Sequence, residues 1–165
     1  MLPIAVVCLV LAADIITKYW VHYNLPLMLS YPQYPYGGIG IFRDWGGIEF
    51  SISHLTNRGA AWGMLTGYQG ALVGVRILLI IGLILYAAFW NKRPSWRIPL
   101  ALIIAGATGN VIDYYVYGHV VDMFHFVLWG YDFPVFNVAD SAVSIGVCWL
   151  IVLTSLQNQG DEVSA

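Results

Sequence analysis

Residues 71–97 read ALVGVRILLIIGLILYAAFW and then NKRPSWR, after which a second apolar run starts at Ile98. The first run, Ala71 to Trp90, has the length a helix needs to cross a hydrocarbon core, about 20 residues, and Arg76 is its single charge. The connection Asn91–Arg97 carries Lys92, Arg93 and Arg97 and no acidic residue. Two apolar runs joined by a short basic segment describe a helical hairpin in a membrane. Lysine and arginine favour the cytoplasmic side, so the turn of this hairpin is placed inside.

Working outward, apolar runs from about Leu2 to Trp20, Ile98 to Tyr114 and Val138 to Leu156 complete a set of four spans. The whole chain agrees with them. Of 165 residues, 59% are apolar and 10% charged, and the mean hydropathy is +0.72. A soluble domain carries about a quarter charged residues, so a water-soluble globule is excluded, as is intrinsic disorder. The net charge of −2 leaves no basic surface for nucleic acid. Cys8 and Cys148 lack metal-ligand spacing and are too few for a disulfide framework; both read as buried small apolar residues. The first run has no basic residue before it and a poor small-x-small cleavage site around Leu11 and Ala13, so it reads as a retained span.

With Asn91–Arg97 inside, four spans put both termini in the cytoplasm and the two longer connections outside. Trp20 and Trp129 then fall near the outer interface, and Trp90 and Trp96 near the inner one. The first outward connection, about residues 22–67, is broken by Pro32, Pro35, Gly37, Gly38 and Gly40. Beyond them Ile48, Phe50 and Ile52 alternate with Glu49, Ser51 and Ser53, the period of a strand with one apolar face. The expected fold is a membrane all-α protein, a single domain over residues 1–165. Its architecture is a four-transmembrane-helix bundle with a small extracytoplasmic β-containing cap from that first connection.

Charged groups inside a span are expensive and mark functional positions by default. Asp14 and Lys18 lie one turn apart at the outward end of the first span; Asn110 and Asp113 lie at the outward end of the third, with Asp122 just beyond; Asn137 and Asp140 open the fourth. All converge on one depth. Simpler readings exist for each. Asp14 with Lys18 is also an i,i+4 pair able to snorkel, Arg76 an interfacial anchor, Asp113 a tie between helix ends, and Asp140 a first-turn carboxylate suited to the helix dipole. Asp132 reads as solvated. His22, His54, His119 and His125 lack a motif such as HExxH, so no metal site is expected. Ala101, Ala105 and Gly109 on the third span, and Gly70 and Gly74 on the second, are small-residue ridges for close helix packing.

Two carboxylates brought together cannot both ionise; one pKa rises while the other stays low. The ionised partner draws a proton from water and the protonated one donates to a carbonyl oxygen. Asp122 and Asp140 are 18 residues apart, and spacing alone does not establish that they meet.

The motifs resemble those of lipoprotein signal peptidase (signal peptidase II), a bacterial inner-membrane aspartyl peptidase family, over nearly the whole chain and in order. Asp14-Ile15-Ile16-Thr17-Lys18 resembles the family's D-x-x-[ST]-K, and Asn57-Arg58-Gly59-Ala60-Ala61-Trp62-Gly63 its N-x-G-A-A-[FW]-G box. Gly106-x-x-Gly109-Asn110-x-x-Asp113 with Gly118-His119-Val120-Val121-Asp122-Met123 resembles the third block, and Phe136-Asn137-Val138-Ala139-Asp140-Ser141-Ala142 the last. The resemblance implies that Asp122 and Asp140 are the catalytic pair. It also implies that Asn110 and Asn137 orient the site, that Asp14 and Asn57 line it, and that Asp113 and Lys18 are structural. It implies a diacylglyceryl-modified prolipoprotein as substrate, cut before the lipidated cysteine, with membrane lipid as surroundings; no cofactor or metal is expected, and the expected state is a monomer. The active site is expected near the outer face of the membrane.

Two positions depart from the family pattern. Tyr114 stands where arginine is common, and Ile15 where glutamine is frequent. The arginine would be a charge partner or bidentate contact in the pocket, with Arg58 and Arg76 as candidate substitutes. Tyr114 keeps open a non-enzymatic lipid or lipoprotein binder. Intramembrane carboxylates also suit a proton relay, though no inverted repeat supports a transporter.

Overall fold

The computed structural model describes residues 1–58 and 69–163. Helix α1 runs over Leu2–Asn24, strand β1 over Ile39–Trp45 and β2 over Ile48–Asn57. Helix α2 (Gln69–Leu85) ends in a wider turn at Tyr86–Trp90, and α3 (Arg97–Tyr117) follows a tight turn at Pro94–Trp96. Strand β3 (Val120–Leu128), the two-residue β4 (Tyr131–Asp132) and α4 (Val138–Val163) complete the order. Four helical segments are long and apolar enough to cross a membrane: Leu2–Asn24, Gly70–Trp90, Pro94–Tyr117 and Val138–Leu156. They contain the four runs read from sequence. Helix α1 extends past Trp20 to Asn24, because His22, Tyr23 and Asn24 lower the hydropathy without breaking helical geometry.

Helix α3 packs against α4, α1 and α2. It is the least hydropathic segment, with a mean of 1.2 against 2.5 for Gly70–Trp90, as befits the one most covered by protein. The outward faces of the others are apolar: Leu9 and Ile16 on α1, Leu78 and Leu79 on α2, and Ile151 on α4 are exposed. Lipid is the solvent that makes such a surface favourable. Cys8 and Cys148 are exposed on these faces too. The expectation that they are buried fails because an apolar run in a membrane does not specify which side faces protein.

Small residues set the approach of α3 to its neighbours. Ala105 is fully buried, and a Cβ added at Gly106 would collide with the Ala139 carbonyl oxygen of α4. One added at Gly109 would lie 2.5 Å from Asp14 Oδ2. Gly70 and Gly74 behave otherwise: a Cβ at either meets nothing within 4 Å. Their spacing therefore reflects no close packing among the described residues. Gly118 ends α3 at φ 75°, and its N–H donates to the Tyr114 carbonyl at 3.0 Å. This left-handed stop, accessible to glycine, turns the chain directly into β3.

The sheet is antiparallel, in the order β1-β2-β3-β4. It is thus built from both long connections, whereas the sequence places strand structure only in the first. The central pairing runs from Ile48 opposite Leu128 to Asn57 opposite Val120, with one irregularity between Ile52 and Leu55. Ile52 faces Phe124 but Leu55 faces Asp122, so β2 holds one extra residue. Such a bulge switches which side chains share a face. Before it, Ile48, Phe50 and Ile52 share the face of Phe124 and Phe126; after it, Leu55 and Asn57 do. That switch places Asn57 on the same face as Asp122. Across the sheet, Ser51 and Ser53 are fully buried and bond each other at 3.0 Å. The apolar residues of the alternation are only half-buried, so the strand is as read but its polar face is the covered one.

One buried cation ties the helices together. Lys18 Nζ donates to Asp14 Oδ2 (2.7 Å), to Asp113 Oδ2 (2.8 Å) and to Asn110 Oδ1 (3.0 Å). An ammonium has three protons, and all three are used. Asp14 Oδ1 accepts the Ala139 N–H of α4 at 2.8 Å, and Asp113 Oδ2 also accepts the Val121 N–H of β3 at 3.1 Å. Lys18, Asp14 and Asp113 are buried. The snorkelling reading of Asp14 with Lys18 is therefore overturned.

Two outcomes follow for stability. Gly106→Ala should cost about 1–3 kcal/mol, seen as a lower Tm in detergent, since the obstructing atom is backbone. Lys18→Met, which leaves two buried carboxylates without their cation, should cost about 3–5 kcal/mol. Adding Asp14→Asn and Asp113→Asn to Lys18→Met should recover much of that loss in the same measurement.

Candidate active site

Helix α4 starts with a reciprocal cap. Asn137 Oδ1 accepts the Asp140 N–H at 2.8 Å, while Asp140 Oδ2 accepts the Asn137 N–H at 3.4 Å. This is the capping-box arrangement, with an asparagine at the cap and an aspartate three residues on. The cap holds the Asp140 side chain back against the helix start. Ser141 Oγ donates to the Asn137 carbonyl at 2.9 Å and tightens the same turn.

The amide of Asn137 reaches the other carboxylate. Its Nδ2 donates to Asp122 Oδ1 at 2.7 Å and lies 3.2 Å from Asn110 Oδ1 and 3.4 Å from the Val121 carbonyl. From β2, Asn57 Nδ2 donates to Asp122 Oδ2 at 3.2 Å. Asn110 Nδ2 donates to Asp140 Oδ1 at 2.8 Å. Both carboxylates are thus gripped by neutral amides. The direction of these bonds is dictated by Lys18: an ammonium only donates, so Asn110 must present its oxygen to Lys18 and its NH₂ to Asp140.

The two aspartates have unequal surroundings. Asp122 is buried and Asp140 half-buried. Burial first, and then the nearby Asp140 charge, push the Asp122 pKa up to about 7, against the opposing bonds from Asn57 and Asn137. A carboxyl that stays protonated near neutrality beside a second, wetter one is the arrangement that general acid–base chemistry on a carbonyl requires.

Asp14, Lys18, Asn57, Asn110, Asp113, Asp122, Asn137 and Asp140 are therefore joined in one continuous hydrogen-bonded network. The Gly59–Gly63 part of the Asn57 box lies outside the described residues. Arg76 lies on the outward part of α2. With Arg58, Asn57, Leu72, Val73, Tyr114, His119 and Val120 it lines a small cleft between α2 and α3. Two arginines thus flank the position where Tyr114 replaces the family's usual one.

Two features escaped the sequence reading. Asp132 is exposed but its Oδ1 lies 2.7 Å from His125 Nε2, so it is paired rather than simply solvated. His22, His54 and His119, which lack any local ligand spacing, come together in space. Only the pairing of β2 with β3, made across two connections, assembles them.

Comparison with known proteins gives the family. A family model described as signal peptidase (SPase) II matches residues 6–156. A lipoprotein signal peptidase of Moorella thermoacetica is 38% identical over 158 residues, covering 93% of this chain and 94% of that protein. One from Bacillus subtilis is 34% identical over 153 residues, covering 92% of each. The chain spans only 66% and 65% of the length of the matched relatives from Chlamydia pneumoniae and Staphylococcus haemolyticus, at 40% and 42% identity. Among solved structures, a bacterial membrane enzyme determined in meso at 2.3 Å resolution is similar, with TM-score 0.78 and 29% identity over 96% of this chain and 90% of that one. A second, at 1.9 Å resolution, gives a TM-score of 0.73 and 30% identity over 92% and 91%. Motif order, four apolar helices and a model matching almost the full length all agree: the chain belongs to the signal peptidase II family.

Proposed function

We propose that the protein is an aspartic endopeptidase of the membrane surface, which removes the signal peptide from diacylglyceryl-modified prolipoproteins by cutting before the lipidated cysteine. The observation that carries this reading is Asn137. Its side chain bonds Asp122 at 2.7 Å while its backbone N–H meets Asp140 at 3.4 Å, so one residue holds both carboxyl groups.

In this mechanism Asp140, the wetter carboxylate, takes a proton from a water molecule as the water oxygen bonds to the scissile carbonyl carbon. Asp122, protonated, donates to the carbonyl oxygen. The resulting gem-diol collapses by breaking the C–N bond, with the proton passed to the departing amine and the carboxyl product released. The proton count is restored in the pair. Asn57, Asn110 and Asn137 act as positioning residues, because each donates an amide N–H to a carboxylate oxygen and so fixes that carboxyl group's orientation.

The domain reading accompanies this one: a single membrane unit whose four spans form a bundle, with both termini cytoplasmic and the sheet lying at the outer face. Three basic residues in the Asn91–Arg97 connection support the orientation. The half-exposed aromatic face of the sheet, where Phe50 stacks on Phe126 at 4.3 Å and Phe126 on Phe136 at 6.0 Å, suits contact with the lipid interface. The cleft between α2 and α3 is the proposed place of approach for the lipidated segment, since Tyr114 and Arg76 line it together with Asn57, which bonds Asp122. A monomer suffices, because every residue of the network comes from one chain.

The test is cleavage of a diacylglyceryl-modified prolipoprotein in micelles, read by gel shift beside its unlipidated form. The lipidated substrate alone should be cut. Asp122→Asn and Asp140→Asn should each lower the rate by about 10²–10⁴-fold or more while retaining substrate binding. Cleavage surviving either substitution would sink the pair, and a wild type that binds without cutting would favour the lipoprotein-binder reading. The pH profile gives a second check. Because the Asp122 pKa is raised to about 7, the active singly protonated pair is lost as pH rises through that value. kcat/KM should accordingly fall by about tenfold per unit above it.

A further inference from the structure

Outside the carboxylate network, three histidines converge among the described residues. His22 sits on the last turns of α1, His54 in the bulge of β2 and His119 in the junction between α3 and β3. One nitrogen from each lies within 4.8 Å of the others. Ring centroids are 5.4 Å apart for His22 and His54 and 5.8 Å for His22 and His119.

A second observation concerns their hydrogen bonding. Three atoms, His22 Nδ1, His54 Nε2 and His119 Nε2, are shielded from solvent and have no hydrogen-bond partner. Buried polar atoms without partners are rare and costly. The opposite side of two rings is engaged: His54 Nδ1 lies 2.9 Å from the Leu25 carbonyl, and His119 has a backbone partner in Tyr117. An Nδ1–H donated to a carbonyl fixes the tautomer that leaves an Nε2 lone pair free, the usual outer support of a metal-binding imidazole.

We propose that His22, His54 and His119 form a three-imidazole site for a divalent first-row transition-metal ion such as Zn²⁺. Imidazole nitrogen suits zinc, copper and nickel, and three histidines with one open position are a known zinc ligand set. Metal–nitrogen bonds of about 2.0–2.1 Å put tetrahedral ligand atoms about 3.4 Å apart, so the rings must draw in by about an ångström from their present spacing. The site joins the end of α1 to both central strands. His54 lies three residues before Asn57, and His119 three residues before Asp122. A bound ion therefore braces the two strands that carry the Asn57–Asp122 contact, without touching the carboxylates.

The experiment uses the full chain without a histidine tag, stripped with chelator in detergent micelles and titrated with Zn²⁺ by calorimetry. Thermal unfolding is followed with and without the metal. One Zn²⁺ per chain should bind and raise Tm. His22→Gln and His119→Gln should each weaken binding by about tenfold or more and remove the Tm increase, while keeping the metal-free Tm near that of the wild type. His125→Gln, whose ring pairs with Asp132 instead, and Asp122→Asn should bind as the wild type does. Absence of saturable binding would overturn the proposal. So would loss of binding in Asp122→Asn with retention in the histidine variants, since the ion would then belong to the carboxylates.

Discussion

Lys18 is the constraint on which the rest depends. A buried ammonium is tolerable only when every proton has an acceptor, and the three that Lys18 finds lie on α1 and α3. Their own remaining bonds reach Ala139 on α4 and Val121 on β3. One point charge thereby fixes the mutual position of three helices and the first turn of a strand. Glycine makes that arrangement sterically possible: a side chain at Gly109 would displace Asp14 Oδ2, and one at Gly106 would meet the α4 backbone.

The same constraint sets the chemistry beyond it. By claiming the oxygen of Asn110, Lys18 turns the amide protons of that residue toward Asp140. The cap of α4 holds Asp140 from the other side, and its Asn137 extends the chain of bonds to Asp122. Lys18 bonds neither carboxylate of the pair; its charge is held one residue away, paired with Asp14 and Asp113. At that remove its pull on Asp122 is outweighed by burial and by the Asp140 charge, which keep Asp122 protonated near neutrality. A cation in direct contact would have stabilised its ionised form.

Much of this was legible in the chain. Apolar runs of membrane length and the basic Asn91–Arg97 connection specify the spans, because lipid imposes length and charge rules that act locally. The shared depth of Asp14, Lys18, Asn110, Asp113, Asn137 and Asp140 followed from their positions along those spans. What could not be read was whatever depends on strand pairing. Val120–Leu128 is a nearly unbroken apolar run without alternation, so it gave no strand signal. Its partner β2 lies about 70 residues earlier, as the Asn57–Val120 and Ile48–Leu128 pairs show. The bulge that turns Asn57 toward Asp122, the pairing of Asp132 with His125 and the meeting of His22, His54 and His119 are all products of that register. The exposure of Cys8 and Cys148 was hidden for a different reason: lipid and protein interior select the same residues.

Burial and the charge of Asp140 keep Asp122 protonated within a neutral amide cradle. Difference infrared spectroscopy of the carboxylic acid C=O stretch, titrated in a bilayer, tests it most directly. A protonated acid should titrate near pH 7, be absent from Asp122→Asn and shift to lower pH in Asp140→Asn, where the opposing charge is gone. An acid band that survives Asp122→Asn unchanged, or one whose midpoint ignores the loss of the Asp140 charge, would contradict it.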